Sequence, residues 1–149
     1  MKLYLDARAL ITAFLEERGS AEVREALAAA EGPTTSAVAY AELRATFARC
    51  LRDGRFEAEQ HTAALEDLDD QWLRFVVVDL DDECLRDAGS VVDRHPPRAL
   101  RALDSIHLAS ALRIATGDPT SVTYACWDLR LWRAARDEGF TMLPSTEPD

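Results

Sequence analysis

Cysteine is scarce in this chain and lysine nearly absent. The three cysteines, Cys50, Cys84 and Cys126, make no C-x-x-C pair, which argues against a disulfide framework and a zinc knuckle and points to a reducing compartment. Lys2 is the only lysine among 17 basic residues, and these face 27 acids, for a formal net charge of -10. Nonspecific affinity for nucleic acid comes from Lys and Arg displacing counterions from phosphates. A general polyanion binder is therefore excluded, and any nucleic-acid chemistry has to be local. The cationic charge that remains is arginine, whose planar fork suits phosphate and carboxylate. Long apolar runs are missing too. The MKLYLDARALITAFL start is interrupted by Asp6 and Arg8, which spoils both a signal-peptide core and a membrane span. A cytoplasmic protein with no membrane contact is expected, folding from residue 2 or 3 onward. There are no repeats, low-complexity tracts or obvious linkers.

What is present is apolar material for one sizeable core: 149 residues, 48% hydrophobic. A single domain over 1–149 is expected, with a helical pair around 36–73 and a short C-terminal tail at 144–149. KLYL reads as a short buried strand, followed by a helix through ARALITAFLEE and a second through SAEVREALAAA. TTSAV reads as a brief strand running into the helix AYAELRATFARCL. Residues 55–72 form an amphipathic helix, RFVVVDL is the clearest strand, and DDECLRDAGSVVD is a helix capped by Asp81. HPP is a break. The helix RALDSIHLASALRIA follows, then a turn at Gly117-Asp118-Pro119, the strand SVTYACW, the helix DLRLWRAARDEG and a last strand, FTML. Strands alternating with helices predict a three-layer α/β/α sandwich around a mainly parallel sheet of four or five strands. In such sheets ligands bind beyond the carboxyl ends of the strands.

That rule picks out particular acids. Asp6 ends the first strand, Asp128 follows SVTYACW by one residue, and Asp104 opens an otherwise apolar helix. Each is a candidate helix N-cap. Capping and metal binding are compatible, because a helix N-terminus favours the ionised carboxylate. Glu42 lies well inside its helix on a face of small side chains, where no cap explains it; a buried partner such as an Arg is the alternative to a functional role. Crowded carboxylates repel unless a hard cation neutralises them, and Mg2+ or Mn2+ on few protein ligands leaves room for phosphate. Several nearby residues are given plainer readings. His107 is read as a hydrogen-bonded core residue rather than a general base, and Trp127 as core rather than a base-stacking platform. The acid run at Asp79, Asp81, Asp82 and Glu83 is read as a helix start. Arg44, Arg49, Arg52 and Arg55, with Arg98 and Arg101, are the candidates for a local phosphate track, with a solvated charged face as the plainer reading of most of them. A haloacid-dehalogenase-like phosphatase needs a second Asp where Arg8 stands, and a receiver domain needs a late Lys that the chain does not have.

The succession YLDARAL, TSAVAYAEL, ALDSIHLASAL and CWDLRLWRAARDEGF resembles PIN-domain nucleases, most closely the VapC-type toxins of bacterial toxin–antitoxin pairs. The likeness covers essentially the whole chain, and LDSIHLASAL is its most specific part. It implies a divalent-metal-dependent endoribonuclease in which Asp6, Glu42, Asp104 and Asp128 hold one or two Mg2+ or Mn2+ ions. Asp6 and Asp104 would contact the metal directly, and Glu42 and Asp128 would ligate it or orient water. The implied substrate is RNA, with tRNA and mRNA as candidates, cleaved to a 5′ phosphate and a 3′ hydroxyl. A homodimer is implied, as is a cognate antitoxin peptide that lays a helix beside the 55–72 helix and sets a cation near the acids. The strand next to Asp79 is expected at the sheet edge, away from the site. Two positions depart from the family pattern: Arg8 replaces a Ser, Thr or Asn, and Cys126 replaces a Ser or Thr. Arg8 is expected to meet the scissile phosphate or to pair with the acids. These departures make a catalytically weakened PIN-fold interaction module the alternative.

Overall fold

The computed structural model describes residues 1–149. Five strands, β1 (Lys2–Leu5), β2 (Thr34–Ser36), β3 (Val76–Val78), β4 (Val122–Ala125) and β5 (Thr141–Leu143), form one sheet in the order β3-β2-β1-β4-β5, and every pairing is parallel. The helices are α1 (Ala7–Phe14), α2 (Ser20–Ala29), α3 (Val38–Arg52), α4 (Ala58–Trp72), α5 (Asp82–Arg94), α6 (Ala102–Ala115) and α7 (Leu129–Asp137). The strand order reverses between β1 and β4, which makes the crevice past their carboxyl ends the topological switch point.

The layering follows from period-two alternation on the central strands. On β1, Leu3 and Leu5 enter a core shared with Leu10, Leu43 and Phe47, while Tyr4 points to the other face with Tyr124, Leu108 and Trp132. The apolar run over residues 3–5 is what a sheet covered on both faces requires. Helix α6 is buried from Asp104 through Ala111, so its apolar surface runs all round, as expected for a helix lying against the sheet and α5 together. Helix α5 buries only Cys84, Ala88 and Val91, one stripe at helical spacing. No helix is long and apolar enough to cross a membrane.

Several boundaries differ from those the sequence predicts, each for a local reason. Helix α1 stops at Phe14 instead of reaching Glu17, because the Ser20 hydroxyl bonds the carbonyls of Thr12 and Leu15 and accepts from the Glu17 N–H, a side-chain alternative to continued helix. The RFVVVDL strand shortens to Val76–Val78, since its neighbour β2 offers only three residues to pair with. The HPP break is a single 3-10 turn over Pro96–Arg98. Beyond β5, the indole N–H of Trp132 donates to the Pro144 carbonyl and Arg133 pairs with Glu147, laying residues 144–147 against α7.

Candidate active site

Four segments distant in sequence deliver the four acids to one place. Asp6 leaves β1 in an extended conformation and caps α1, its Oδ1 accepting the Ala9 N–H at 2.7 Å. Asp128 does the same after β4, accepting from Leu131 N–H at 3.0 Å. Glu42 stands in the second turn of α3. Asp104 is not the cap of α6: it is the third helical residue and reaches back to accept the Arg101 N–H at 2.9 Å. All four line a cavity of about 350 Å3, together with Arg8, Thr46, Arg101, His107 and Trp127. A separate groove of about 300 Å3 between α1, α2 and α4 is walled by Leu10, Phe14, Leu27 and Phe75 and has no comparable set of acids.

The electrostatics are those of an anionic pocket short of cations. Asp6 is 2% exposed, and burial pushes its carboxyl up to about 6; His107 and the Ala9 N–H pull the other way, and Asp128 adds to the rise. Burial, reinforced by Asp6, also raises the Cys126 thiol and the Tyr4 phenol, so both stay protonated at neutral pH. No three of the acid, His or Cys side chains stand together as a finished ion cage. Arg101 is the cation among them. Its Nε lies 3.2 Å from Asp104 Oδ2 and its Nη2 3.6 Å from Asp128 Oδ2.

Glu42 has a buried partner, and it is a histidine rather than an arginine. His107 Nε2 is 2.6 Å from Glu42 Oε2, and Nδ1 is 2.9 Å from the Tyr4 hydroxyl. With Tyr4 donating to Nδ1, the imidazole carries its hydrogen on Nε2 and presents it to Glu42. His107 is thus the hydrogen-bonded core residue that its apolar helix face suggests, and it also orients a pocket acid. Arg8 departs from expectation. It turns from the quartet to pair with Glu17 at 3.1 Å, and Arg55 joins the same carboxylate at 3.6 Å. The Cys126 thiol donates to the Asp128 carbonyl at 3.4 Å, so it supplies a weaker version of the hydrogen bond that a hydroxyl would make. Trp127 is half-buried and forms a cavity wall over Gly19. The pairing of Arg101 across Asp104 and Asp128 was not foreseen from the sequence. The three-residue spacing from Arg101 to Asp104 was the available signal, being that of an N-cap and its third helical residue.

Comparison with known proteins gives a consistent picture. The family model described as PIN domain matches residues 3–117. Ribonuclease VapC45 from Mycobacterium tuberculosis strain CDC 1551 / Oshkosh is 33% identical over 143 residues, covering 96% of this chain and 95% of that protein. Ribonuclease VapC49 from Mycobacterium tuberculosis strain H37Rv matches to the same extent. Among solved structures, FitAcB from Neisseria gonorrhoeae superposes with a TM-score of 0.69 at 20% identity, over 90% of this chain and 93% of that one. VapBC2 from Rickettsia felis, bound to a DNA fragment from their promoter, superposes with a TM-score of 0.62 at 15% identity, over 89% and 92%. These two likenesses carry the fold.

Proposed function

The chain belongs to the PIN-domain family, in its VapC-type branch, and from that premise we propose that it is a divalent-metal-dependent endoribonuclease and the toxin of a toxin–antitoxin pair. The observation that carries the reading is the arrival of Asp6, Glu42, Asp104 and Asp128 around one cavity at the switch point of a parallel sheet.

The donor set fits Mg2+ or Mn2+: all four groups offer hard oxygens, and the raised proton affinity of Asp6 marks a buried carboxylate in want of a cation. Such an ion, when bound, supplies Lewis-acid polarisation of the phosphodiester and a more acidic water. The chain's own part is positioning. Asp6 and Asp104 are assigned to direct ligation, and Glu42 and Asp128 to ligation or to orienting water. The cap bonds from Ala9 and Leu131 fix Asp6 and Asp128 in place, while His107 fixes Glu42. RNA is the substrate, with tRNA and mRNA as candidates, and the products carry a 5′ phosphate and a 3′ hydroxyl.

The test is Mg2+-dependent cleavage of an RNA panel by the purified protein beside its Asp104→Asn variant. Cleavage by the first alone supports the assignment; equal cleavage by both, or none by either, removes it. A cognate antitoxin peptide is the proposed partner, and copurification of an untagged peptide encoded beside the toxin gene checks it. The toxin is further proposed to be a homodimer, which a monomeric sedimentation profile at all concentrations would contradict.

A further inference from the structure

We propose that Arg101 is a tethered cation that neutralises Asp104 and Asp128 until a divalent ion takes them over, and that its guanidinium then turns to the substrate phosphate. This rests on the metal-dependent reading of the same cavity.

The geometry points to a shared rather than a permanent ion pair. Arg101 touches two acids from different elements, Asp104 on α6 at 3.2 Å and Asp128 before α7 at 3.6 Å. Two carboxylates from different elements thus converge on one guanidinium in the cavity, and in this arrangement the acids make no ion cage of their own. Yet the Arg101 side chain is 63% exposed, against 10% for Asp104 and 30% for Asp128. The acids are fixed in the fold and the arginine is held only by them. Its backbone N–H also donates to Asp104 Oδ2, the oxygen that Nε faces, so α6 keeps a bond at its start when the side chain leaves.

The alternative destination follows from the charges around it. The other arginine on the cavity wall, Arg8, is engaged by Glu17. Arg98 is engaged by Asp137 at 2.5 Å. Arg101 is therefore the cation that loses its partners when Asp104 and Asp128 bind metal, and a planar fork freed from carboxylate is matched to phosphate. Exchange of this kind makes the guanidinium a competitor of the metal and a helper of the substrate, so removing it has effects of opposite sign on the two.

The experiment measures Mn2+ binding to metal-free protein by loss of the free-ion paramagnetic resonance signal, and RNA cleavage at saturating Mn2+, for the wild type, Arg101→Gln and Arg101→Lys. Arg101→Gln is expected to bind Mn2+ about tenfold more tightly, because one positive charge has left an anionic site, and to cleave about tenfold or more slowly with a raised KM. Arg101→Lys, which keeps the charge without the fork, is expected to bind Mn2+ nearly as the wild type does and to cleave at an intermediate rate. Far-ultraviolet circular dichroism confirms that each variant is folded. Unchanged or weaker Mn2+ binding in Arg101→Gln overturns the exchange and leaves the metal site standing. Tighter binding with undiminished cleavage overturns the phosphate role. Absence of Mn2+ binding in the wild type and in Arg101→Gln alike overturns the exchange and the metal reading together.

Discussion

Asp6 carries its charge at a cost. Its carboxyl titrates near 6 in the folded protein against 3.8 as a free side chain, so between those values the folded state keeps a proton that the unfolded state has lost. Stability contributed by Asp6 is therefore present below about pH 4 and declines as pH rises to about 6, by roughly 3 kcal/mol for a shift of this size. Asp6→Asn keeps the oxygen that accepts the Ala9 N–H and removes the buried charge. The expected outcome is a gain of about 2–3 kcal/mol at pH 7 in urea unfolding with EDTA present, a smaller gain at pH 4, and loss of cleavage. For the same reason cleavage by the wild type is expected to fall as pH drops below about 6, where Asp6 takes up the proton that competes with metal. His107 has the opposite balance, since it satisfies the hydroxyl of Tyr4, which cannot reach water. His107→Ala strands the buried Tyr4 hydroxyl and leaves a cavity, and a loss of about 3 kcal/mol in thermal or urea unfolding is expected. Asp6, Asp104 and Asp128 were readable because strand ends and helix starts are local features, and Glu42 because an acid on a face of small side chains stands out. Their partners were not: Glu42 meets His107 across 65 residues, and Arg8 meets Glu17 instead of the acids, through contacts that no local pattern encodes.

Strand ends and helix starts carry most of the site because the chain turns sharply there. Gly19 shows how tight one such junction is. It precedes α2 with φ +91°, and a Cβ built on it would lie 2.4 Å from the indole nitrogen of Trp127. Gly19→Ala is therefore expected to cost about 1–3 kcal/mol through backbone strain and to push Trp127 from its place. A lowered melting temperature and a shifted tryptophan emission check both effects, and cleavage should decline because that indole walls the cavity. Element type was largely legible, as the alternation in KLYL and the α5 stripe at Cys84, Ala88 and Val91 illustrate. Element ends were less so. The Ser20 hydroxyl that closes α1 and the three-residue partner that trims β3 act across gaps that a pattern of apolar spacing does not cover.

At the scale of the molecule, a net charge of -10 limits how RNA can be held. Several members of the arginine track are already tied down: Arg55 by Glu17, Arg98 by Asp137 and Arg44 to the Tyr40 hydroxyl. Few phosphates can then be neutralised. Binding of RNA to Asp104→Asn in Mg2+, followed by anisotropy across a salt series, is expected to give a shallow log–log slope of magnitude below about 3. A slope near that of a broad basic groove would contradict it. The same charge favours a basic antitoxin, so any copurifying peptide is expected to be rich in Arg or Lys and to weaken its grip as salt rises.

The sequence by itself determined the α/β class and the parallel sheet, and set Asp6 and Asp128 at strand ends, because apolar periodicity and helix-start chemistry act over a few residues and leave local signatures, while Glu42 and Asp104 stood out as acids on apolar helix faces. Only the tertiary structure decided which charges those acids face. The strand order sets Asp6 beside Asp128, and the start of α3 beyond β2 brings Glu42 to His107 on α6. Arg101 spans two acids because the start of α6 and the end of β4 converge on one cavity. Coulomb energies depend on distance in space and on burial, and neither is a property of distance along the chain.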